Sequence, residues 1–370
     1  MEQWKGTMEI MVMINYSNCY CGKRIFITGH TGFKGSWLTY VLYKMGAIIK
    51  GYSLPPVTSP SLYNEIEFSI SIDSVIADIN DYSTLEKEIL AFQPDYIFHL
   101  AAQPLVRQSY SDPLNTFSTN IIGTANILNV LTKLKKTCIS IIVTTDKVYE
   151  NYEWSFSYKE TDRLGGFDPY SASKACAELV IQSYVQSFFN LSKFEFHQKA
   201  IVSVRAGNVI GGGDWSDDRL IPDIVKSIAE NKNIIIRNPD SVRPWQHVLE
   251  PIFGYLKLGD ALKNDPKKYC GAWNFGPSEN DNLSVITMTK QAIDIFGKGN
   301  IELLTRTDQL HEAGTLKLDI NKAINELGWK PRMDVISSIQ RTINWYQLFY
   351  EQKKSAVELI EADLKYYQRL

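Results

Sequence analysis

Arg24-Ile25-Phe26-Ile27-Thr28-Gly29-His30-Thr31-Gly32-Phe33-Lys34-Gly35 is the stretch that decides the fold. Arg24 to Thr28 is a short apolar run and reads as a buried strand. The glycines at 29, 32 and 35 then form GxxGxxG, a relative of the dinucleotide fingerprint. Glycine permits a tight turn and lets the backbone approach a pyrophosphate at a helix N-terminus. Leu38, Val41, Leu42 and Met45 follow at helical spacing. Strand, glycine turn and helix together predict a dinucleotide site, with Gly29, Thr31, Gly32, Phe33 and Lys34 as cofactor contacts.

Working outward, apolar runs and helical patterns keep alternating. Strands are expected at 47–52, 74–77, 96–100, 139–144 and 200–205, and helices at 81–92, 120–134 and 170–188. That alternation implies βαβ units and a parallel, doubly wound α/β sheet. Ile141-Ile142-Val143 is apolar without alternation, as expected of a strand covered on both faces. After Arg205 the rhythm breaks at Gly211-Gly212-Gly213, and Asn238-Pro239 and Arg243-Pro244 punctuate a second loop. The reading divides the chain into an N-terminal extension (1–22), a dinucleotide-binding domain (23–205), a smaller mixed substrate lobe (206–350) and a C-terminal tail (351–370). A segment near 244–262 is expected to return to the main sheet. Helices are expected near 320–327 and 335–350, and the charged tail reads as a surface helix.

Composition narrows the class. The 370 residues are 44% hydrophobic and carry a formal net charge of −2, with acids and bases interspersed. No basic footprint for nucleic acid or a membrane surface is present. The five cysteines, at 19, 21, 138, 176 and 270, are odd in number and scattered, which reads as reduced thiols in a cytoplasmic protein. No His–Cys spacing suits zinc. Met8 to Ile14 is interrupted by Glu9 and followed by no small-residue cleavage site, so it does not read as a signal peptide. No run reaches membrane-spanning length.

Chemistry concentrates in two places. Tyr170 and Lys174 lie four residues apart, on one face of a predicted helix. An ammonium there is expected to lower the phenol from its ordinary value near 10, making it a base toward a sugar hydroxyl. Thr144-Thr145-Asp146-Lys147 closes the predicted fifth strand, where ligands bind in parallel sheets. Thr145 can bond the substrate hydroxyl beside Tyr170, and Asp146 and Lys147 can serve as acid and base. Charged strand ends are also common as plain ion-paired loops. The second strand ends Tyr52-Ser53-Leu54-Pro55-Pro56 without the carboxylate that usually holds the adenosine ribose. Lys50 lies nearby, so the residues alone leave NADP open beside NAD. Asp78 and Ile79 are candidate adenine contacts. Arg219, Arg237 and Arg243 suit diphosphate oxygens. Gln103, Asn208 and Trp245 flank strand ends and loops as further substrate candidates, against a default of loop or core support.

These motifs resemble the nucleotide-sugar dehydratases of the extended short-chain dehydrogenase/reductase family, from about Lys23 to about Tyr346. The resemblance rests on Thr28 to Trp37, Ala101 to Arg107, Asp168-Pro169-Tyr170-Ser171, Val204 to Trp215, Asp218 to Asp223, Arg243 to Pro251, Trp273 to Pro277 and His311-Glu312-Ala313. It implies a Rossmann fold and bound NAD, with Leu100, Ala101, Ala102, Thr144, Tyr170 and Lys174 among its contacts. It also implies a nucleotide-diphosphate hexose substrate and a homodimer or homotetramer. Thr145, Tyr170 and Lys174 match the family's hydroxyl–tyrosine–lysine set, and Asp146 matches its dehydratase acid. Sibling dehydratases carry a glutamate where this chain has Lys147, as in the branch acting on CDP-D-glucose, which leaves the carbon-5 base open. That branch feeds deoxysugar and O-antigen synthesis. The alternatives are a nucleotide-sugar 4-epimerase, which needs no Asp146–Lys147 pair, and a non-catalytic dinucleotide-binding protein on a retained fold.

Overall fold

The computed structural model describes residues 19–304 and 314–370. The Met8–Ile14 run and His311-Glu312-Ala313 lie outside them. In chain order the principal elements of the first half are β1 (Arg24–Thr28), α1 (Phe33–Lys44), β2 (Ile48–Ser53), β3 (Asp73–Ile76), α2 (Tyr82–Phe92), β4 (Tyr96–His99), α3 (Gly123–Lys133), β5 (Cys138–Val143), α4 (Pro169–Ser187) and β6 (Lys199–Ala206). The second half adds β7 (Asn208–Ile210), α5 (Leu220–Ala229), β8 (Ile234–Ile236), β9 (Val242–His247), α6 (Leu249–Asn264), β10 (Gly271–Phe275), β11 (Asn282–Ser284), α7 (Val285–Phe296), β12 (Ile301–Leu303), α8 (Val335–Tyr350) and α9 (Ala356–Arg369).

Seven strands form one sheet in the order β10-β6-β5-β4-β1-β2-β3, and every pairing in it is parallel. The chain runs outward from β1 to β3 and then crosses back to β4 on the other side. The order therefore reverses between β1 and β4, which opens a crevice at their carboxyl ends. The expected α/β, doubly wound architecture is what the chain adopts. β5 and β6 are buried along their whole length, as expected of central strands covered on both faces. One strand of this sheet escaped the sequence reading. β10 is only five residues long and begins at Gly271, yet it pairs with β6 from Gly271↔Val202 to Phe275↔Ala206.

The smaller lobe carries a three-stranded sheet, β11-β9-β7, and the parallel pair β12-β8. α1 couples it to the main sheet. Trp37 is fully buried and donates its indole N–H to the Gly212 carbonyl at 2.9 Å. Gly212 must be glycine, because a Cβ there would lie 2.0 Å from the Trp345 ring.

The C-terminal segment is a helix, as expected, but it is docked and not loosely held on the surface. Ser355 and Glu358 form a reciprocal capping box at its start. Leu359, Ile360, Leu364 and Tyr367 are buried, each contributing about 1.5–3 kcal/mol by the usual burial scale. Tyr367 stacks on Phe253 at 4.9 Å and donates to Glu250 at 2.9 Å. The charges that suggested exposure are partnered: Glu361 accepts from Tyr40 and Lys44, and Asp363 from Arg341. Gly212→Ala is expected to lose about 1–3 kcal/mol of stability, because the added methyl overpacks the junction at Trp345. Chemical denaturation checks this, and an unchanged midpoint would show that the junction yields without cost.

Candidate active site

The three glycines of the first turn do different work. Gly29 has φ +75°, and a Cβ there would meet the Leu100–Ala101 backbone at 2.7–2.8 Å, so the turn presses directly on the chain leaving β4. A Cβ on Gly35 would stand 1.9 Å from the Gly29 carbonyl oxygen, so α1 packs on its own turn. Gly32 faces open space, with only the Gly29 oxygen within reach at 3.4 Å. It is the N-cap of α1, and no side chain caps the helix. The first amides of α1 therefore point at a roomy, uncapped cradle, which suits a pyrophosphate. These residues fit a dinucleotide.

Thr28 and His99, at the carboxyl ends of β1 and β4, fix the other wall. The Thr28 hydroxyl pairs with His99 Nδ1 at 2.7 Å and accepts from the amides of Leu100 and Ala101 at 3.1 and 3.2 Å. Burial holds His99 neutral, down at about 3. Its Nε2 reaches Thr124 at 3.2 Å. Ala102 follows in the same half-buried loop. Ile79 is buried against Gly123, and Asp78 is exposed, its carboxylate accepting from the Asn80 amide at 2.8 Å.

Tyr170 and Lys174 emerge from the start of α4. Asp168 caps the helix, accepting from the Ser171 amide at 2.9 Å and hydroxyl at 2.6 Å, and Pro169 takes the first-turn position it favours. Gly166 lets the preceding loop cross this start, because a Cβ there would sit 2.2 Å from the Ala172 amide. Thr145 follows β5 and caps the short turn Asp146–Val148. Its hydroxyl donates to Asp146 Oδ1 at 3.0 Å and acts on the Tyr170 phenol beside it. Thr144 donates to Glu178 at 2.6 Å, and Glu178 is clamped by the buried Arg205 at 2.9 Å. Lys174 Nζ donates to the Val143 carbonyl at 3.2 Å. Thr145, Asp146, Tyr170 and Lys174 thus converge at one buried spot, with Lys147 half-buried beside them.

Desolvation governs the charges here. It pushes Lys174 down to about 8, with Glu178 opposing. The Tyr170 phenol moves opposite to the sequence expectation. Burial pushes it up to about 12, against the pull of Thr145 and Arg219, and Lys174 turns its amine to Val143 without offsetting this. Asp146 is 2% exposed, and burial raises its carboxyl despite Lys147, Thr145 and Arg243. Its Oδ2 has no hydrogen-bond partner among the described residues. A carboxyl so placed favours the protonated form. Lys34 carries its amine into the same crevice, where burial, aided by Arg219 and Lys174, lowers it to about 7.

The remaining predicted residues separate. Arg219 pairs with Asp214 at 3.0 Å and Arg243 donates to the Val242 and Gly314 carbonyls, yet both act electrostatically on the catalytic cluster. Arg237 pairs with Asp218 at 2.9 Å on the rim, and Asn208 opens β7 opposite Trp245. Gln103 spends its amide on Leu105 and Thr116, and Trp245 is a buried lobe residue donating to Leu283. Loop and core support is what those two contacts provide. Two groups were missed. Asn120, in the π-turn Ser118–Ile122, bridges the Gln103 carbonyl at 3.0 Å and Ser173 at 2.8 Å, and Ser173 donates to the Tyr170 carbonyl. A π-turn often marks a functional site but leaves no spacing signature. Arg107 reaches Asp218 at 3.6 Å beside Arg237; its place in the Ala101–Arg107 motif was the available signal.

The chain matches the family described as GDP-mannose 4,6 dehydratase over residues 26–342. It therefore belongs to that family, within the nucleotide-sugar dehydratases of the extended short-chain dehydrogenase/reductases. The CDP-glucose 4,6-dehydratase of Salmonella typhimurium is 46% identical over 330 residues, 89% of this chain and 92% of that protein. The dTDP-glucose 4,6-dehydratase of Streptomyces antibioticus is 26% identical over 87% of this chain and 92% of its own length. Among solved structures, the dTDP-glucose 4,6-dehydratase of Bacillus anthracis in complex with NAD superposes with a TM-score of 0.72 at 23% identity, covering 89% of this chain and 98% of that one. The Streptomyces venezuelae dTDP-glucose 4,6-dehydratase with NAD bound gives 0.74 at 22% identity, over 89% and 98%. Those two likenesses establish the fold.

Among the described residues no helix is long and apolar enough to cross a membrane, and no His/Cys/Asp/Glu group could hold a metal. The raised carboxyl of Asp146 has a consequence for stability. An aspartate unfolds to an ionisation near 3.9, whereas the folded carboxyl keeps its proton to higher pH. The unfolded state then binds fewer protons, so this group lowers stability as pH rises through about 4 and beyond. Asp146→Asn escapes that loss. Its Tm relative to the parent protein is expected to climb between pH 4 and pH 8, and a relative Tm that falls instead would mean an ionised, paired Asp146.

Proposed function

We propose that the chain is an NAD-dependent CDP-D-glucose 4,6-dehydratase, converting its substrate to CDP-4-dehydro-6-deoxy-D-glucose by loss of water across carbons 5 and 6. The observation that carries this reading is Asp146: a buried, upshifted carboxyl with one unpartnered oxygen, beside the Thr145–Tyr170–Lys174 cluster. A 4-epimerase needs the tyrosine and lysine alone. The 46% relative supports the choice of nucleotide.

NAD, cradled by Gly29, Thr31, Gly32, Phe33 and the Leu100–Ala102 loop, supplies a hydride acceptor for carbon 4, a donor for carbon 6, and a positive ring charge. Tyr170 takes the 4-hydroxyl proton, with Thr145 holding that hydroxyl in line. Lys174, one turn below, donates to Val143 at the strand end where the cofactor ribose would lie, and the positive charge that favours the phenolate would come with the bound cofactor. Lys147, acting as the neutral amine, accepts the carbon-5 proton, which is acidified once carbon 4 is a ketone. Asp146 delivers its proton to the departing 6-hydroxyl. Arg219 and Arg243 hold the diphosphate, with Arg237 and Asn208 at the rim. The protein works as a homodimer or homotetramer. Exposed Leu114, Ile122 and Leu179 lie on the helices 113–122 and α4, which pack together and offer an apolar face for a second copy.

Incubating the pure protein with CDP-, dTDP-, GDP- and UDP-hexoses tests the reaction. Loss of one water from the CDP-hexose is expected, and a product of unchanged mass would make it an epimerase. Asp146→Asn should slow turnover by about 10²–10⁴-fold while CDP-glucose still binds; unchanged turnover removes the acid from Asp146. Lys147→Met should block exchange of the carbon-5 hydrogen with solvent deuterium, and full exchange in that variant would assign the base elsewhere.

A further inference from the structure

Glu178 lies behind the catalytic cluster, four residues past Lys174 and eight past Tyr170 on the same face of α4. It is 1% exposed, and both its carboxylate oxygens are occupied. Oε1 accepts from the Thr144 hydroxyl at 2.6 Å and from Arg205 Nε at 2.9 Å. Oε2 accepts from the Ser203 hydroxyl at 2.7 Å and from Arg205 Nη2 at 3.0 Å. The carboxylate thus meets the guanidinium fork with both oxygens, the strong form of such a pair. Burial disfavours the charge, but Arg205 and the hydroxyls outweigh it and hold the carboxyl below its usual range. Arg205 directs Nη1 to the Tyr149 phenol at 2.8 Å and the Glu160 carbonyl at 3.1 Å.

Stability alone does not account for this pair. An ion pair buried so deeply loses much of its attraction to lost hydration, and well-packed apolar side chains commonly hold a core as well. Thr144, which Glu178 grips, lies between Val143, whose carbonyl takes Lys174 at 3.2 Å, and Thr145, which stands beside Tyr170. The Thr144 amide is meanwhile fixed to the Val204 carbonyl of β6 at 2.9 Å. One carboxylate on α4 therefore sets the spacing between that helix and the strand end facing it. Its charge has a second effect. Desolvation pushes Lys174 down to about 8, and Glu178 is the group that opposes it. The other titratable groups around Lys174 are Tyr170 on its own helix, Lys34 from α1, His99 from β4 and Asp146 past β5. The phenol is raised, Lys34 is a base lowered to about 7, His99 is neutral, and Asp146 favours its protonated form. None of these supplies a standing negative charge.

We propose that Glu178 is a positioning residue for hydride transfer: it clamps the end of β5 to α4 through Thr144 and supplies the fixed counter-charge one turn from Lys174. Lys174 then stays an ammonium, whose hydrogen bonds to Val143 and to a cofactor ribose are charge-assisted and stronger than those of a neutral amine. Thr145 and Tyr170 are held at one distance from it, and a misplacement of about 1 Å at such a site costs about 10²-fold in rate. Arg205 keeps the carboxylate ionised and ties the 149–160 segment to the same point. This inference rests on the dehydratase reading of the site, and the test separates the two.

Rapid mixing of the NAD-loaded protein with CDP-D-glucose follows the rise of reduced nicotinamide, the first hydride step. The paired variant Glu178→Met/Arg205→Met removes both charges at similar volume and leaves neither one unpaired. Its KM for CDP-D-glucose is expected to stay within about twofold while nicotinamide reduction slows about tenfold or more. The alkaline fall in rate, which follows Lys174, should move at least about half a pH unit lower, because the group that raises Lys174 is gone. Glu178→Asp keeps the charge but is one methylene shorter, so it should restore the pH limb and not the rate. Thr144→Val leaves the ion pair whole and should slow reduction with the limb unmoved; it carries the test should the paired variant not fold. Reduction at the parent rate in the paired variant or in Thr144→Val would overturn the proposal alone, as would an unmoved limb in the paired variant. A parent protein that reduces its nicotinamide with none of the CDP-, dTDP-, GDP- and UDP-hexoses would overturn the dehydratase reading with it.

Discussion

Everything in this molecule depends on how closely α1 packs against the turn that precedes it. The Gly35 position lies so near the Gly29 carbonyl that no Cβ fits, and Gly29 in turn presses on the backbone leaving β4. That contact sets the depth at which α1 enters the structure. Entering so deep, α1 is buried over most of its length, including Ser36, Thr39 and Tyr40. Its Trp37 can then reach the Gly212 carbonyl of the substrate lobe, and its Tyr40 the Glu361 of α9. One close approach between glycines therefore fixes the cofactor cradle, the seat of the substrate lobe and the dock for the C-terminal helix.

A second consequence is that the catalytic groups sit where water is scarce. Burial is the first cause of the shifts at Tyr170, Lys174, Asp146 and Lys34, and it moves acids and bases in opposite directions. Such a site stores protons on its carboxyl and phenol and draws them from its amines. For a dehydratase that distribution is useful at Asp146, which must hold a proton until the 6-hydroxyl leaves. It is adverse at Tyr170, which must lose one at the start. The phenol is thus the group in this crevice that depends on positive charge arriving with the ligands.

The parallel sheet and the catalytic cluster were legible because they rest on local signals. β1 with its glycine turn, the apolar Ile141-Ile142-Val143 of β5, and Asp168-Pro169 ahead of α4 each announce themselves in a few residues. β10 was not legible, because five residues starting at a glycine carry no periodicity and gain their identity by pairing with β6 across the chain. The docked state of α9 was hidden for a similar reason. Its charges look solvent-seeking until Tyr40, Lys44 and Arg341 are seen opposite them. At the site, the direction of the Tyr170 shift was misread because spacing shows that Lys174 is near but not which way its amine turns.

Lys50 illustrates the same limit and what it implies for reading such folds. A lysine in the second strand, with no carboxylate at the strand end, looks on sequence like an opening for a 2′-phosphate. Whether that charge is available depends on partners 23 and 38 residues away, Asp73 and Glu88, which the sequence does not bring beside it. Once the fold brings them there, Lys50 is held by two carboxylates within the wall of the sheet, and its charge is spent before it reaches the strand end.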